Sequence, residues 1–215
     1  VWLCEPDPSR PGGDHRPSCI ATIFSDDFGK TWQRGAIIAN NGDRIGRDTL
    51  VNPSEHVAVE LQDGRVMLNI RSESRPHHRL VAYSPDGASG WTKPAFDDEL
   101  FDPVCMASLV RLPGGKGAKP ALLFVNPDSQ QDSAGMKEAL NGFRKRENLT
   151  AKLSLDEGQT WVSKKVVDPG QAGYSDVAVG PDGMVYCLYE TKTDAGKAWR
   201  YHVVLKRFNR AWLAE

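Results

Sequence analysis

Four residues of this chain are of types that do chemistry together: Glu55, Arg71, Arg146 and Tyr174. Guanidinium groups bind carboxylates through parallel, charge-assisted hydrogen bonds, so two arginines on one rim suit an anionic ligand. A phenol has a reference pKa of about 10 and needs a base before it attacks anything. A carboxylate such as Glu55 can take that proton. A neutral phenol also tolerates an anionic substrate that would repel a carboxylate nucleophile.

These side chains are far apart in sequence, and two interleaved repeats place them on one rim. Ser25-Asp26-Asp27-Phe28-Gly29-Lys30-Thr31-Trp32 recurs as Ser154-Leu155-Asp156-Glu157-Gly158-Gln159-Thr160-Trp161, with a degenerate copy from Ser84 to Trp91. Glycine permits a tight turn, aspartate can tie the turn's backbone N–H groups, and tryptophan packs between sheets. The second repeat is a hairpin signal. Asp63-Gly64 and Asp182-Gly183 each separate two apolar alternating runs, and Leu109–Val125 is a longer version turning at Pro113-Gly114-Gly115. Joined, the repeats give units of four strands over roughly 40–50 residues, the size of a propeller blade. The units expected are a blade over 55–94, a second over 105–167 with an insertion near Pro127–Glu147, a third over 174–212, and remnants over 1–50. Val1–Leu3 and Ser18–Phe24 are expected strands of the remnant, and Ser133–Phe143 fits a short helix.

In such a unit the eight-residue turns mark one face, and strand-1 starts, strand-2 ends and strand-3 starts share the other. Glu55 begins a strand 1, Arg71 ends the same hairpin, Arg146 precedes the strand Leu149–Ser154, and Tyr174 begins another strand 1. The turn carboxylates are then structural. The loop Glu5–Arg16, including Asp14, falls on the rim, and Cys105 and Met106 are candidates for the pocket wall. Glu60 is expected to face solvent and the five histidines to sit in loops without metal-ligand spacing.

Composition excludes several classes. Lys plus Arg is 27 and Asp plus Glu is 28, leaving a net charge of −1 and no general field for nucleic acid or an anionic membrane. No apolar run approaches the roughly 20 residues of a membrane span. Cys4, Cys19, Cys105 and Cys187 form no C-x-x-C pair, so no thiolate metal site is expected. Cys19 and Cys187, in apolar runs, read as buried thiols. Asn148-Leu149-Thr150 matches a glycosylation sequon, a triplet common by chance.

The S-x-D-x-G-x-T-W repeat resembles the Asp-box of sialidases, and further segments sharpen the likeness across the whole chain. SEHVAVELQDGRVMLNIRS is similar to the stretch of bacterial retaining sialidases that bears the catalytic Glu and one Arg of the arginine triad. RENLTAKLSLDEGQTW resembles the stretch with another triad Arg, GYSDVAVGPDGMVYCLYE the stretch with the nucleophile, and RFNRAWL, Arg207 to Leu213, the last propeller strand. The resemblance implies an all-β, six-bladed propeller, of which this chain supplies about three and two-thirds blades. It implies hydrolysis of terminal α-linked sialic acid with retention, through a tyrosyl intermediate. Tyr174 would be the nucleophile, Glu55 its base, and Arg71 and Arg146 the carboxylate-binding residues, stabilising charge as an oxocarbenium-like transition state forms. No metal or organic cofactor is implied, the partner is a sialylated glycan, and a secreted or periplasmic setting suits that substrate.

Two family elements have no match here: the Arg-Ile-Pro motif with the first triad Arg, and the Asp that serves as general acid/base. The expectation is a partial record of a longer enzyme, lacking N-terminal blades and poorly active or poorly folded alone. The alternatives are a sialic-acid-binding lectin, a non-enzymatic Asp-box scaffold, and a trans-sialidase using the same residues.

Overall fold

The computed structural model describes residues 1–5, 9, 15–115, 117–129, 145–192 and 201–214. The helix expected over Ser133–Phe143 and most of the loop Glu5–Arg16, with Asp14, lie outside the described residues. The chain divides into two compact units, Val1–Leu100 and Phe101–Glu215.

Among the described residues the fold is all-β apart from one helical turn near the end of the chain. In the first unit, β1 (Trp2–Cys4), β2 (Ser18–Phe24) and β3 (Gln33–Asn40) form a three-stranded antiparallel sheet. A small hairpin follows, β4 (Arg44–Ile45) with β5 (Asp48–Thr49). Then β6 (His56–Glu60), β7 (Val66–Ile70), β8 (His78–Ser84) and β9 (Ala95–Phe101) make a four-stranded sheet in chain order. Ile20, Ala39, Leu50, Leu68, Ile70, Leu80 and Ala82 form this unit's core.

The second unit is one sheet in chain order: β10 (Ser108–Leu112), β11 (Ala121–Pro127), β12 (Glu147–Ser154), β13 (Ser163–Val179), β14 (Val185–Lys192) and β15 (Tyr201–Phe208). Its core gathers Leu123, Val125, Leu149, Ala151, Val177, Val185, Cys187, Tyr189 and Phe208. A short helix, α1 (Arg210–Ala214), closes the chain and buries Leu213. The segment Arg207–Leu213 is therefore not one strand. The ladder of β15 ends at Phe208, and the Asn209 side chain then accepts the Trp212 amide at 3.0 Å, as a helix N-cap does.

The turn chemistry is local. Gly64 and Gly183 have φ of 83° and 77°, the left-handed conformation glycine adopts without steric cost. The Asp63 carboxylate accepts the Arg65 amide at 3.1 Å. In the Asp-boxes, Asp27 accepts the amide and hydroxyl of Thr31 at 2.8 and 2.6 Å, and Asp156 accepts those of Thr160 at 2.9 and 2.6 Å. Asp86 does the same with Ala88 and Ser89 in the degenerate copy. Their carboxyls lie below the usual range. The Thr31 hydroxyl and amide hold Asp27 down at about 2.

Several expectations need correction. Histidines 56, 78 and 202 lie in strands β6, β8 and β15 and not in loops. Cys105 is fully buried and does not open a strand, since β10 begins at Ser108. Its amide is held by the Asp102 carboxylate at 3.1 Å. Cys187 is buried, and burial pushes its thiol up to about 11, whereas Cys19 is only half-buried. Trp161 packs as expected, tilted against Phe124 at 5.7 Å and 4% exposed, but Trp32 in the twin motif is 60% exposed.

Candidate active site

Glu55 and Arg71 flank the open end of the β6–β7 hairpin. The Asp63-Gly64 turn sets the register, pairing His56 with Ile70, and the next pair outward is Glu55 with Arg71. The Arg71 amide donates to the Glu55 carbonyl at 2.9 Å. Residues directly opposite share a face of the sheet, so their side chains meet. The Arg71 guanidinium donates to the Glu55 carboxylate, with the two side chains 11% and 19% exposed. The pair is largely withdrawn from water yet reachable from it.

Arg146 and Tyr174 meet in the second unit. Arg146 stands immediately before β12, and its guanidinium donates to the Val104 carbonyl at 2.7 Å. Its own carbonyl accepts the Ala172 amide at 3.0 Å, two residues from Tyr174. The guanidinium carbon lies 5.6 Å from the centre of the Tyr174 ring, within cation–π range.

Tyr174 does not open a strand. It lies inside β13, which runs unbroken from Ser163 to Val179 and changes partner on the way. Residues up to Gln171 pair with β12, and residues from Ala172 pair with β14. The register shifts between Ala172 and Ser175, as at a β-bulge, which re-aims side chains. Polar contacts brace the switch. Asp168 accepts the Gly170 amide at 2.8 Å, the Tyr189 hydroxyl at 2.5 Å and the Lys206 ammonium at 2.9 Å. Burial, with the Asp168 hydrogen bond beside it, raises the Tyr189 phenol above its ordinary value.

Glu190 was not singled out from the sequence. It lies on β14 across the register shift between Ala172 and Ser175, and its carboxylate accepts the Tyr174 amide at 3.3 Å. A Cβ at Gly173 would lie 2.7 Å from that carboxylate oxygen, so a side chain there would push Glu190 away. The signal that could have found it is spacing. Glu55 and Arg71 are 16 residues apart across one Asp-Gly hairpin, and Tyr174 and Glu190 are 16 apart across the other.

Among the described residues, no three His, Cys, Asp or Glu side chains are grouped to hold a metal ion. Nor is any described helix long and apolar enough to cross a membrane.

The Asp-box turns and the hairpins between them match a known family, the BNR repeat-like domain, over residues 11–187. The chain belongs to this family. Relatives of this BNR repeat-like chain include sialidases of the bacterial type. It is 36% identical over 196 residues to the sialidase of Micromonospora viridifaciens, covering 89% of this chain and 25% of that protein. It is 30% identical to the sialidase of Bacteroides fragilis, covering 79% of this chain and 28% of that one. Among solved structures, a Hadza microbial sialidase superposes with a TM-score of 0.69 at 27% identity, covering 91% of this chain and 33% of the other. The chain thus spans about a quarter to a third of the length of these relatives.

Proposed function

We propose that this BNR repeat-like chain carries part of the active site of a retaining exo-sialidase, acting on terminal α-linked sialic acid of glycoconjugates. Tyr174 attacks the anomeric carbon and gives its phenolic proton to Glu55. The glycosidic C–O bond breaks as its oxygen takes a proton from solvent. Water then displaces the phenol oxygen from the anomeric carbon with net retention, losing its proton to solvent while the phenol regains its own from Glu55. Arg71 and Arg146 bind the carboxylate on the anomeric carbon, where charge-assisted hydrogen bonds are worth most when water is excluded. The observation supporting this reading is the Arg146 guanidinium 5.6 Å from the centre of the Tyr174 ring, a group of the type that binds carboxylates close to a phenol. The 36% identity to a sialidase supports the substrate class.

In this reading the sheets are blades of a six-bladed propeller, with a blade over 55–94, a second over 105–167, a third over 174–212 and remnants over 1–50, about three and two-thirds in all.

The test is release of 4-methylumbelliferone from its sialoside, with Tyr174→Phe as control. Release that the substitution abolishes supports the reading. Release that survives it removes Tyr174 from the chemistry. Sialoside binding without release, unchanged in Tyr174→Phe, points instead to a lectin.

A further inference from the structure

Beyond Arg71 the β6–β7 hairpin continues as two chain segments side by side, Val51–Glu55 and Arg71–Ser74. A regular ladder cannot hold them. Pro53 has no N–H to donate, and Asn52 is left-handed with φ of 43°, an uncommon conformation for a non-glycine residue. Main-chain bonds skip this stretch. Ser54 donates to the Arg71 carbonyl at 2.9 Å, and the next main-chain bond outward is Glu73 to the Val51 carbonyl at 2.8 Å.

Side chains fill the gap. The Glu73 carboxylate accepts Nε of Arg16 at 3.0 Å on each oxygen, the Arg16 terminal nitrogen at 2.6 Å, and the Asn52 side-chain Nδ2 at 3.0 Å. The Val51 amide donates to the Ser74 hydroxyl at 3.0 Å, the Asn52 amide to the Asn41 side chain at 3.1 Å, and the Ser18 hydroxyl to the Pro53 carbonyl at 2.8 Å. The forked arginine–carboxylate pair is the most directional of these contacts. It sits two residues from Arg71 and ties the segment entering β2 to the segment leaving β7.

We infer that Glu73, gripped by Arg16 and Asn52, is a positioning residue for Arg71. It replaces the ladder bond that Pro53 cannot make, and so fixes the backbone from which the Arg71 guanidinium projects. Resting on the sialidase reading, this makes Glu73 a determinant of carboxylate affinity that touches no substrate.

The experiment uses the full 215-residue chain. The Nε–Hε cross-peak of Arg71, assigned with Arg71→Lys, is followed by ¹H–¹⁵N NMR in Glu73→Gln, Glu73→Asp and Arg16→Gln. The Arg71 peak should shift and broaden in Glu73→Gln and Arg16→Gln and return toward its original position in Glu73→Asp. The Arg111 peak, in the other unit, should stay fixed. An Arg71 peak that superimposes on the unsubstituted chain's in Glu73→Gln overturns the inference, with or without ligand. A second arm titrates a 2,3-dehydro sialic acid. Glu73→Gln should bind roughly ten-fold more weakly, as expected when a binding group is displaced by a fraction of an ångström. Unchanged affinity in Glu73→Gln, where Arg71→Lys loses binding, overturns the inference too. If the unsubstituted chain and Arg71→Lys do not differ in affinity, the sialidase reading fails instead, and the cross-peak alone decides the role of Glu73.

Discussion

Removing the carboxylate of Asp128 should cost this protein more than removing both members of its ion pair. The Lys152 ammonium is 0% exposed, 2.8 Å from Asp128 and 6.0 Å from the centre of the Phe124 ring. Phe124 in turn packs on Trp161. Asp128→Ala takes the paired carboxylate from that fully buried ammonium beside an aromatic ring, and breaking a buried pair by removing one partner costs about 3–5 kcal/mol. Domains of this kind have roughly 5–15 kcal/mol in total, so a large share would go. At about 2–4 °C per kcal/mol for a chain of this length, the melting temperature should fall by roughly 6–20 °C. The double variant Asp128→Leu with Lys152→Met removes both charges at similar volume, and should be neutral or more stable by about 1–4 kcal/mol. The Asp128 amide donates to the Asn148 carbonyl in every variant, so the comparison isolates the charges from the backbone. Urea and thermal unfolding, followed by circular dichroism and tryptophan fluorescence, give the measurement. A single variant within about 1 kcal/mol of the parent would show the pair behaving as a solvated surface pair, and the argument from burial would be wrong.

Two further outcomes follow from the Asp-boxes. Trp161→Ala should cost about 3–5 kcal/mol, because it empties the space against Phe124, while Trp32→Ala in the twin motif should cost under about 1 kcal/mol, measured by urea unfolding. Acid stability should depend on the box aspartates. Asp27 is held at about 2 in the folded chain against an ordinary 3.8, first by the Thr31 hydroxyl and then by the Thr31 amide. Asp156 is also lowered, burial opposing and the Thr160 hydroxyl and amide prevailing. A lowered folded-state value stabilises the fold fully above the unfolded value and is lost as pH falls through the folded one. The loss should run from about pH 4 to about pH 2, and Thr31→Val with Thr160→Val should move the acid midpoint upward in a circular dichroism titration.

What could be read from the sequence was local. Asp63-Gly64 and Asp182-Gly183 specify their hairpins through residues adjacent in the chain, and each Asp-box closes on its own hydroxyls and amides. What could not be read depends on neighbours distant in sequence. Trp32 and Trp161 occupy equivalent motif positions, yet only the second has a Phe124 to pack on. Lys152 lies in an alternating strand that says nothing of Asp128, which lies 24 positions earlier. Pro169-Gly170 reads as a break between strands, but β13 passes through it because β12 and β14 supply partners on either side.

Both pairs of candidate site residues stand where a ladder becomes irregular, and this has a physical reason. A regular antiparallel ladder points side chains alternately to the two faces and holds them near perpendicular, which suits packing and not convergence. Beside Glu55 and Arg71 the irregularity is Asn52-Pro53, and beside Tyr174 it is the shift between Ala172 and Ser175. The side chains are re-aimed there, while the intact hairpins below keep Glu55 opposite Arg71 and the Glu190 carboxylate on the Tyr174 amide. That opposition hangs on register alone. A slip of one residue in β7 would send Arg71 to the other face of the sheet from Glu55, and the core face of Leu68 and Ile70 would go with it. The burial that stabilises the sheet is therefore the same constraint that keeps the carboxylate and the guanidinium together.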